Sequence, residues 1–118
     1  MNRTLTSAAI AIATLLPTHA FAAGDAAKGK VLFESICSTC HGPDGLGDGP
    51  LAATLPADTK PRNLQTGTLK YATDDTKLHT LLKGGGGAVG LSPLMTGAPG
   101  VSDDDIDNII AFIHTLRK

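Results

Sequence analysis

Two cysteines and a histidine lie within five residues of one another, in the segment Cys37-Ser38-Thr39-Cys40-His41. Thiols at this spacing match the two vinyl groups of a haem, and the imidazole that follows can reach the iron from the same side. The pattern is the signature for covalent haem attachment, and histidine is a standard axial ligand of haem iron. The segment therefore predicts one haem c, bound through Cys37 and Cys40 and ligated by His41.

Three other uses of the two cysteines compete with this interpretation. A thioredoxin-like dithiol follows a strand within a βαβ unit, and no strand pattern precedes Cys37. A structural zinc site needs four ligands, but there is no third cysteine, and His79 and His114 lie far apart in the sequence. A disulfide across two intervening residues closes a very short loop and adds little stability. Haem attachment is favoured because each alternative lacks a required partner.

A haem bound by one histidine still needs a second axial ligand, and Met95 is the leading candidate. After Met1 it is the only methionine, and it lies in the irregular segment Ser92-Pro93-Leu94-Met95. Methionines usually fill gaps in apolar cores, but a thioether ligand favours ferrous iron and raises the reduction potential. His79 is the second candidate, although a packed or solvated histidine is also typical of its helix. His114, in the last helical turn, is expected to interact with the helix dipole.

The first 22 residues are predicted to be a secretory signal peptide. Asn2 and Arg3 form a polar, positive start, residues 8–16 are apolar, and Ala20-Phe21-Ala22 provides small residues around a cleavage point. Nine apolar residues are too few to cross a bilayer, which needs about 20. A membrane anchor or a buried first helix is the competing interpretation. We expect cleavage after Ala22, which leaves residues 23–118 as a soluble, periplasmic domain without a membrane span.

The composition of residues 23–118 indicates one small domain that depends on a cofactor. Removal of Arg3 changes the formal net charge from −1 to −2, which provides no basic surface for nucleic acid. Phe33, Tyr71 and Phe112 are the only aromatic residues in this range. A small core with so few large side chains needs additional stabilisation, and a buried porphyrin would supply apolar volume.

Hydrophobic periodicity predicts an all-α fold with three main helices and long loops. Asp25 is expected to cap a first helix that runs to about Ser38. Asp74-Asp75 opens a second helix, and Ser102 caps the last one. The apolar faces of these two helices are predicted from Leu78, Leu81, Leu82, Ile106, Ile109, Ile110, Ile113 and Leu116. The Gly- and Pro-rich segments 42–64 and 84–100 are predicted to be loops, and a long loop in a small domain is often one that wraps a ligand.

With these features, the chain resembles the small class I monohaem cytochromes c of bacteria over residues 23–118. The resemblance lies in Gly29-x-x-x-Phe33, in the haem motif, in the loop around Met95 and in Ile109-x-x-Phe112. It implies a cytochrome c-like fold that wraps one haem. It also implies that the first and last helices cross where Gly29 meets Ile109, with the two phenylalanines beside the crossing.

The same resemblance implies roles for two residues of the first loop. Gly47-Asp48-Gly49-Pro50 resembles the stretch whose proline carbonyl accepts a hydrogen bond from the free ring nitrogen of the haem histidine, so Pro50 is expected to orient His41. Pro61-Arg62-Asn63-Leu64 resembles a segment along the haem edge, where Arg62 is expected to pair with a propionate. One position departs from the family, because Thr96 follows Met95 where many relatives have proline.

These expectations describe a one-electron carrier rather than an enzyme. Iron ligated by both His41 and Met95 has no position for a substrate, so electrons pass through the haem edge to and from redox proteins in small, transient contacts. Membership of a larger redox complex is compatible with the same residues. The alternatives are a haem sensor or a ligand-binding module, and a peroxidase-like enzyme. Each needs an open sixth position, and only His79 is a candidate for the distal acid–base group of a peroxidase.

Overall fold

The computed structural model describes residues 23–118, and the predicted signal peptide, residues 1–22, lies outside the described residues. Within 23–118 the secondary structure is helical and contains no strand, which confirms the all-α prediction. Four α-helices occur in this range: α1 (Ala26–Ile36), α2 (Ser38–His41), α3 (Asp75–Gly84) and α4 (Asp103–Leu116). The loops contain three short 3-10 helices: Ala52–Thr54, Ala57–Thr59 and Gly86–Val89.

The three long helices begin at the residues that the sequence predicts. At each start a side-chain oxygen accepts a hydrogen bond of 2.9–3.2 Å from a backbone N–H in the first turn, and the capping residues are Asp25, Asp74 and Ser102. These bonds satisfy N–H groups that have no partner within the helix. The caps therefore determine where α1, α3 and α4 begin.

The first helix is shorter than predicted. It ends at Ile36 rather than near Ser38, and α2 forms a separate single turn after Cys37. The backbone N–H of Cys37 still donates to the Phe33 carbonyl at 2.8 Å, and that of His41 donates to the Cys37 carbonyl at 2.9 Å. The haem motif thus occupies a turn of its own, held by hydrogen bonds on both sides of Cys37.

The crossing of α1 and α4 forms the centre of the fold. A Cβ atom on Gly29 would overlap the backbone carbonyl of Asn108 and would also approach the backbone N of Ile109, so the two helices meet backbone to backbone. Beside this contact the rings of Phe33 and Phe112 lie 5.2 Å apart at 59°, a tilted aromatic pair. Phe33 and Ile109 are each 1% exposed. The crossing predicted from Gly29, Phe33, Ile109 and Phe112 is confirmed.

Helices α3 and α4 pack antiparallel, with ion pairs at both ends. Lys83, in the last turn of α3, lies 2.9 Å from the Asp103 carboxylate in the first turn of α4. At the other end His114 of α4 lies 2.7 Å from the Asp75 carboxylate in the first turn of α3. Each acidic group is near a helix N-terminus and each basic group near a C-terminus, as the helix dipoles favour. The structural role predicted for His114 is thereby supported.

Replacing Asp103 with asparagine is expected to lower stability at neutral pH and to have a smaller effect in acid. The hydrogen bond from Lys83 and its charge hold the pKa of Asp103 below its ordinary value of 3.8, and His79 contributes less. The ion pair therefore stabilises the fold above the unfolded-state pKa, and this stabilisation is lost as the pH falls through the folded-state pKa. The effect should be small because Asp103 is exposed. Chemical unfolding of both proteins at pH 7 and at about pH 2.5 measures it, and an equal difference at both pH values would contradict the assignment.

The loop between α2 and α3 is fastened to the end of α4. The Arg117 guanidinium donates to the carbonyls of Leu64 and Gly67, both at 2.9 Å, and the backbone N–H of Lys118 donates to the Gln65 carbonyl at 3.0 Å. Leu64 is buried in the core. The loop is thus held against the helices.

Candidate haem-binding site

Cys37 lies at the edge of a cleft between the helices and the loops, and Cys40 lies one helical turn away in α2. Both are free thiols and both are half-buried. The cleft has a volume of about 270 Å³ and is partly open to solvent. This is just below the roughly 300–1,000 Å³ of pockets that enclose drug-sized ligands, so a flat group such as a porphyrin would fit with one edge reaching the open side.

Apolar side chains from every long helix form most of the cleft wall. The helical contributors are Phe33 of α1, Leu78, Leu81 and Leu82 of α3, and Ile113 of α4. The loops add further apolar side chains, namely Leu55, Leu64, Leu69, Leu91 and Leu94. A largely apolar wall that converges on a few polar groups is typical of a cofactor site.

The Cys37 thiol is not activated as a redox dithiol would be. Burial, with a smaller contribution from Cys40, raises the pKa of Cys37 to about 11. Redox-active Cys-x-x-Cys pairs have a thiol whose pKa is lowered to roughly 3.5–7.5. Cys37 therefore gives no support to the thioredoxin-like alternative, and residues 23–118 contain no strand of the βαβ unit that it requires.

The imidazole of His41 lines the same cleft and is oriented by a backbone carbonyl. Its Nδ1 lies 3.3 Å from the carbonyl oxygen of Arg62. Because a carbonyl can only accept, Nδ1 carries the proton and Nε2 keeps the lone pair that a metal ligand needs. Burial lowers the pKa of His41, an effect that the bond to Arg62 partly opposes. The neutral imidazole, which is the ligating form, is therefore favoured.

The acceptor for His41 is not the one that the sequence predicted. Pro50 does not line the cleft, and the residues on either side of it donate to the backbone of α2. The N–H of Gly49 bonds to the Cys40 carbonyl and that of Leu51 bonds to the Thr39 carbonyl, both at 3.0 Å. Pro50 is thereby tied beside the haem motif, and the chain that reaches the imidazole is the later segment around Arg62. The role predicted for the Pro50 carbonyl is corrected to Arg62.

Met95 lines the cleft from the loop between α3 and α4. Its backbone carbonyl accepts a 2.8 Å hydrogen bond from the N–H of Gly86, and the N–H of Ala98 donates to the Leu82 carbonyl at 2.7 Å. A positive φ of 77° at Gly85 allows the chain to turn out of α3 so closely that a Cβ there would lie 2.7 Å from the Met95 carbonyl oxygen. The loop is therefore held against the C-terminal end of α3.

The other two histidines of residues 23–118 are not cleft residues. His79 Nε2 lies 3.8 Å from the Asp103 carboxylate, and His114 is paired with Asp75. Among the residues proposed from the sequence, the structure thus brings together Cys37, His41, Met95 and Arg62 at the cleft, and it leaves out His79 and Pro50. Cys40 lies beside His41 in α2 but does not itself line the cleft.

Several polar residues of the cleft were not anticipated from the sequence. Lys60, Lys70 and Tyr71 line it together with Arg62, so three cationic side chains share its wall. The Lys60 ammonium also donates to the carbonyl of Ala52. They come from two loop segments about ten residues apart, in a region with no helical or strand period. In the sequence, only Arg62, directly after Pro61, indicated that a basic residue lies near the haem.

These residues fit a covalently held porphyrin. Two thiols and an imidazole come from one turn, a thioether comes from a separate loop, and apolar side chains line the space between the elements that carry them. Such donors suit a haem rather than a bare metal ion, because residues 23–118 contain no cluster of three or more His, Cys, Asp or Glu side chains. The fold and the site define a small all-α domain for covalent haem attachment.

Comparison with known proteins agrees with that class. The family model for Cytochrome c matches residues 26–117. Cytochrome c-554(547) of Halothiobacillus neapolitanus is 36% identical over 97 residues, which cover 80% of this chain and 100% of that protein. Cytochrome c-555 of Chlorobaculum tepidum is 28% identical over 121 residues and is matched along the full length of both chains. The protein therefore belongs to the cytochrome c family, carries haem c on Cys37 and Cys40, and transfers electrons through it.

A solved structure shares the fold at low sequence identity. A chain of the reducing HAO-like protein complex of Kuenenia stuttgartiensis superposes with a TM-score of 0.59 at 19% identity. The match covers 81% of this chain and 44% of that one, so the present chain spans less than half of its structural relative. No helix within residues 23–118 is long and apolar enough to cross a membrane.

Proposed function

We propose that this chain is a periplasmic one-electron carrier whose haem iron is ligated by His41 and Met95. The observation that carries the proposal is that both side chains line one cleft, whereas His79 and His114 are engaged with carboxylates elsewhere. The bound haem would supply the one-electron couple between ferric and ferrous iron. The Met95 thioether, as a ligand of that iron, would favour the ferrous state and raise the reduction potential.

The surrounding residues suit a carrier that changes little between its two redox states. The Arg62 carbonyl fixes the His41 ring through Nδ1, and backbone bonds tie the Met95 segment to α3. Ligands positioned in this way need little rearrangement when an electron arrives or leaves. A haem held by both His41 and Met95 would offer a substrate no free position on the iron.

An open iron site is less well supported by the same geometry. The peroxidase-like alternative requires a distal acid–base group, and the histidine nominated for it, His79, lies beside Asp103 rather than in the cleft. The sensor alternative requires that Met95 be absent from the haem, although it lines the cleft. Both alternatives therefore rank below the carrier.

We further propose that Arg62 pairs with a haem propionate. Arg62 lines the cleft together with Lys60, Lys70 and Asp58, so the charged residues of this wall carry a net positive charge. A guanidinium can bind a carboxylate through two parallel hydrogen bonds, which neither lysine can. Arg62 would thus serve the haem twice, through its carbonyl to His41 and through its guanidinium to the propionate.

The cellular setting follows from the first 22 residues and from the surface charge. The signal-peptide pattern supports export to the periplasm, and a net charge of −2 after removal of Arg3 disfavours a broad basic docking surface. Partners would be redox proteins that donate or accept electrons through transient contacts. Membership of a larger complex has a structural parallel, since the Kuenenia relative is part of one.

Spectroscopy of the purified holoprotein tests the axial ligands directly. Ferric protein is expected to be low-spin and to show the near-infrared charge-transfer absorption of a thioether ligand, and ferrous protein is expected to bind carbon monoxide slowly or not at all. A high-spin ferric spectrum, or rapid carbon monoxide binding, would exclude the closed His41/Met95 site. Export is tested separately by N-terminal sequencing of protein from the periplasmic fraction, where cleavage after Ala22 is expected.

A further inference from the structure

Lys83 joins the two ends of the loop that carries Met95. This loop, residues 85–101, leaves the C-terminus of α3 and returns at the N-cap of α4, and it is called the Met95 loop below. The Lys83 ammonium, in the last turn of α3, lies 2.9 Å from the Asp103 carboxylate in the first turn of α4. The same ammonium donates to the carbonyl of Val101, the last residue of the loop. One side chain thus closes the base of the loop by two contacts.

The Lys83 bridge, meaning Lys83 with Val101 and Asp103, lies where it can govern the position of Met95. Inside the loop the N–H of Gly86 holds the Met95 carbonyl and the N–H of Ala98 holds the Leu82 carbonyl, so the Met95 segment packs on the end of α3. These backbone bonds persist only while the last part of the loop, from Ala98 to Val101, stays beside α3; this part is called the returning arm. The bridge fastens that arm, because Val101 ends the loop and Asp103 begins α4.

The bridge is only partly buried, and its contribution to stability rests on two contacts made by one ammonium. The Lys83 side chain is 36% exposed, whereas the paired Asp103 is 72% exposed. A fully exposed lysine pair is worth little, but here the ammonium also satisfies a part-buried backbone carbonyl. Loss of the ammonium would leave that carbonyl without this donor and would free the returning arm.

We propose that Lys83 is a positioning residue that keeps the Met95 sulfur on the haem iron by closing the base of the Met95 loop. The inference rests on the proposed His41/Met95 ligation. An external ligand can bind the iron only in open molecules, in which the loop has moved Met95 away. Its apparent affinity therefore equals the intrinsic affinity multiplied by the fraction of molecules that are open. Weakening the bridge increases that fraction and makes external ligands bind more tightly.

Imidazole titration of the ferric holoprotein provides the test. Lys83→Met keeps an apolar stem of similar length and removes the ammonium. We expect it to bind imidazole about fivefold more tightly than wild type, a size expected of one charged pair and one part-buried hydrogen bond. Loss of the thioether absorption reports the displacement. Lys83→Arg keeps the positive charge, so its imidazole affinity should stay close to the weaker affinity of wild type.

Lys77→Met is the matched control, because Lys77 is also on α3 but pairs with Asp74 at the opposite end, 4.0 Å away. It should bind imidazole as wild type does. If Lys83→Met does not fold, Asp103→Asn serves instead, since it keeps the Val101 contact and should show a smaller increase in affinity. An unchanged imidazole affinity in a folded Lys83 variant, with a wild-type thioether band present, would overturn this inference alone. A wild-type protein without that band would overturn the Met95 ligation, and the role of Lys83 with it.

Discussion

Replacing Met95 with alanine is expected to abolish the thioether absorption of the ferric haem and to lower the reduction potential. Met95 is the only methionine in residues 23–118 that can supply a thioether, and it lines the cleft that contains His41. Removal of this ligand removes the preference for ferrous iron that a thioether provides. A fall of roughly 0.2 V is expected, within the span of about 0.8 V over which axial ligands set haem potentials. Redox titration and near-infrared absorption of the holoprotein measure the two effects.

The vacated position should also become reactive. Ferrous Met95→Ala is expected to bind carbon monoxide rapidly, whereas wild type should not. Thr96→Ala is the matched control, because Thr96 is adjacent to Met95 in the same loop, is exposed and does not line the cleft. It should keep the thioether band and the potential. A Met95→Ala protein that retains both would rule out Met95 as the ligand and would reopen the sensor and peroxidase-like alternatives.

Gly29→Ala is expected to destabilise the protein, although alanine is normally the better residue within a helix. In an uncrowded helix the change would stabilise by about 1 kcal/mol. Here the new Cβ would overlap the backbone carbonyl of Asn108, and backbone cannot move aside as a flexible side chain can. We expect a net loss of about 1–3 kcal/mol, the usual cost of overpacking. That corresponds to a fall in Tm of roughly 4–8 °C per kcal/mol for a domain of this size.

A second glycine provides the control for this prediction. A Cβ on Gly100 would meet nothing within 4 Å, so Gly100→Ala should stay within about 0.5 kcal/mol of wild type. Thermal unfolding followed by far-ultraviolet circular dichroism compares the three proteins in one redox state. If Gly29→Ala is as stable as wild type or more so, then α1 and α4 are not in backbone contact at this position.

The parts of the molecule that could be predicted from the sequence are those whose physics is local. The haem motif contains its attachment groups and one ligand within five residues, so its chemistry does not depend on the rest of the fold. The caps Asp25, Asp74 and Ser102 act on N–H groups two or three residues away, and their helices begin as predicted. The end of α1 was predicted less well, because the break at Cys37 has no glycine or proline to mark it.

The crossing of α1 and α4 was predicted from the family resemblance rather than from local sequence patterns. Each helix shows its apolar face in the sequence, but that Gly29 meets Asn108 and Ile109 is a long-range contact. The resemblance to the class I cytochromes c supplied the pairing, and the structure confirms it. Periodicity alone would have predicted the two faces without showing which residues meet.

The sequence alone therefore identifies the haem motif as a covalent attachment site. Which groups contact and orient it is determined by the tertiary structure. The acceptor for His41 is Arg62, 21 residues away, rather than Pro50, because the course of an irregular loop depends on hydrogen bonds to distant elements. The Lys83 bridge joins residues 18 and 20 positions apart for the same reason. A loop without a repeating pattern carries no local signal of what it will contact. Spacing along the chain determined the chemistry, and packing determined which groups orient it.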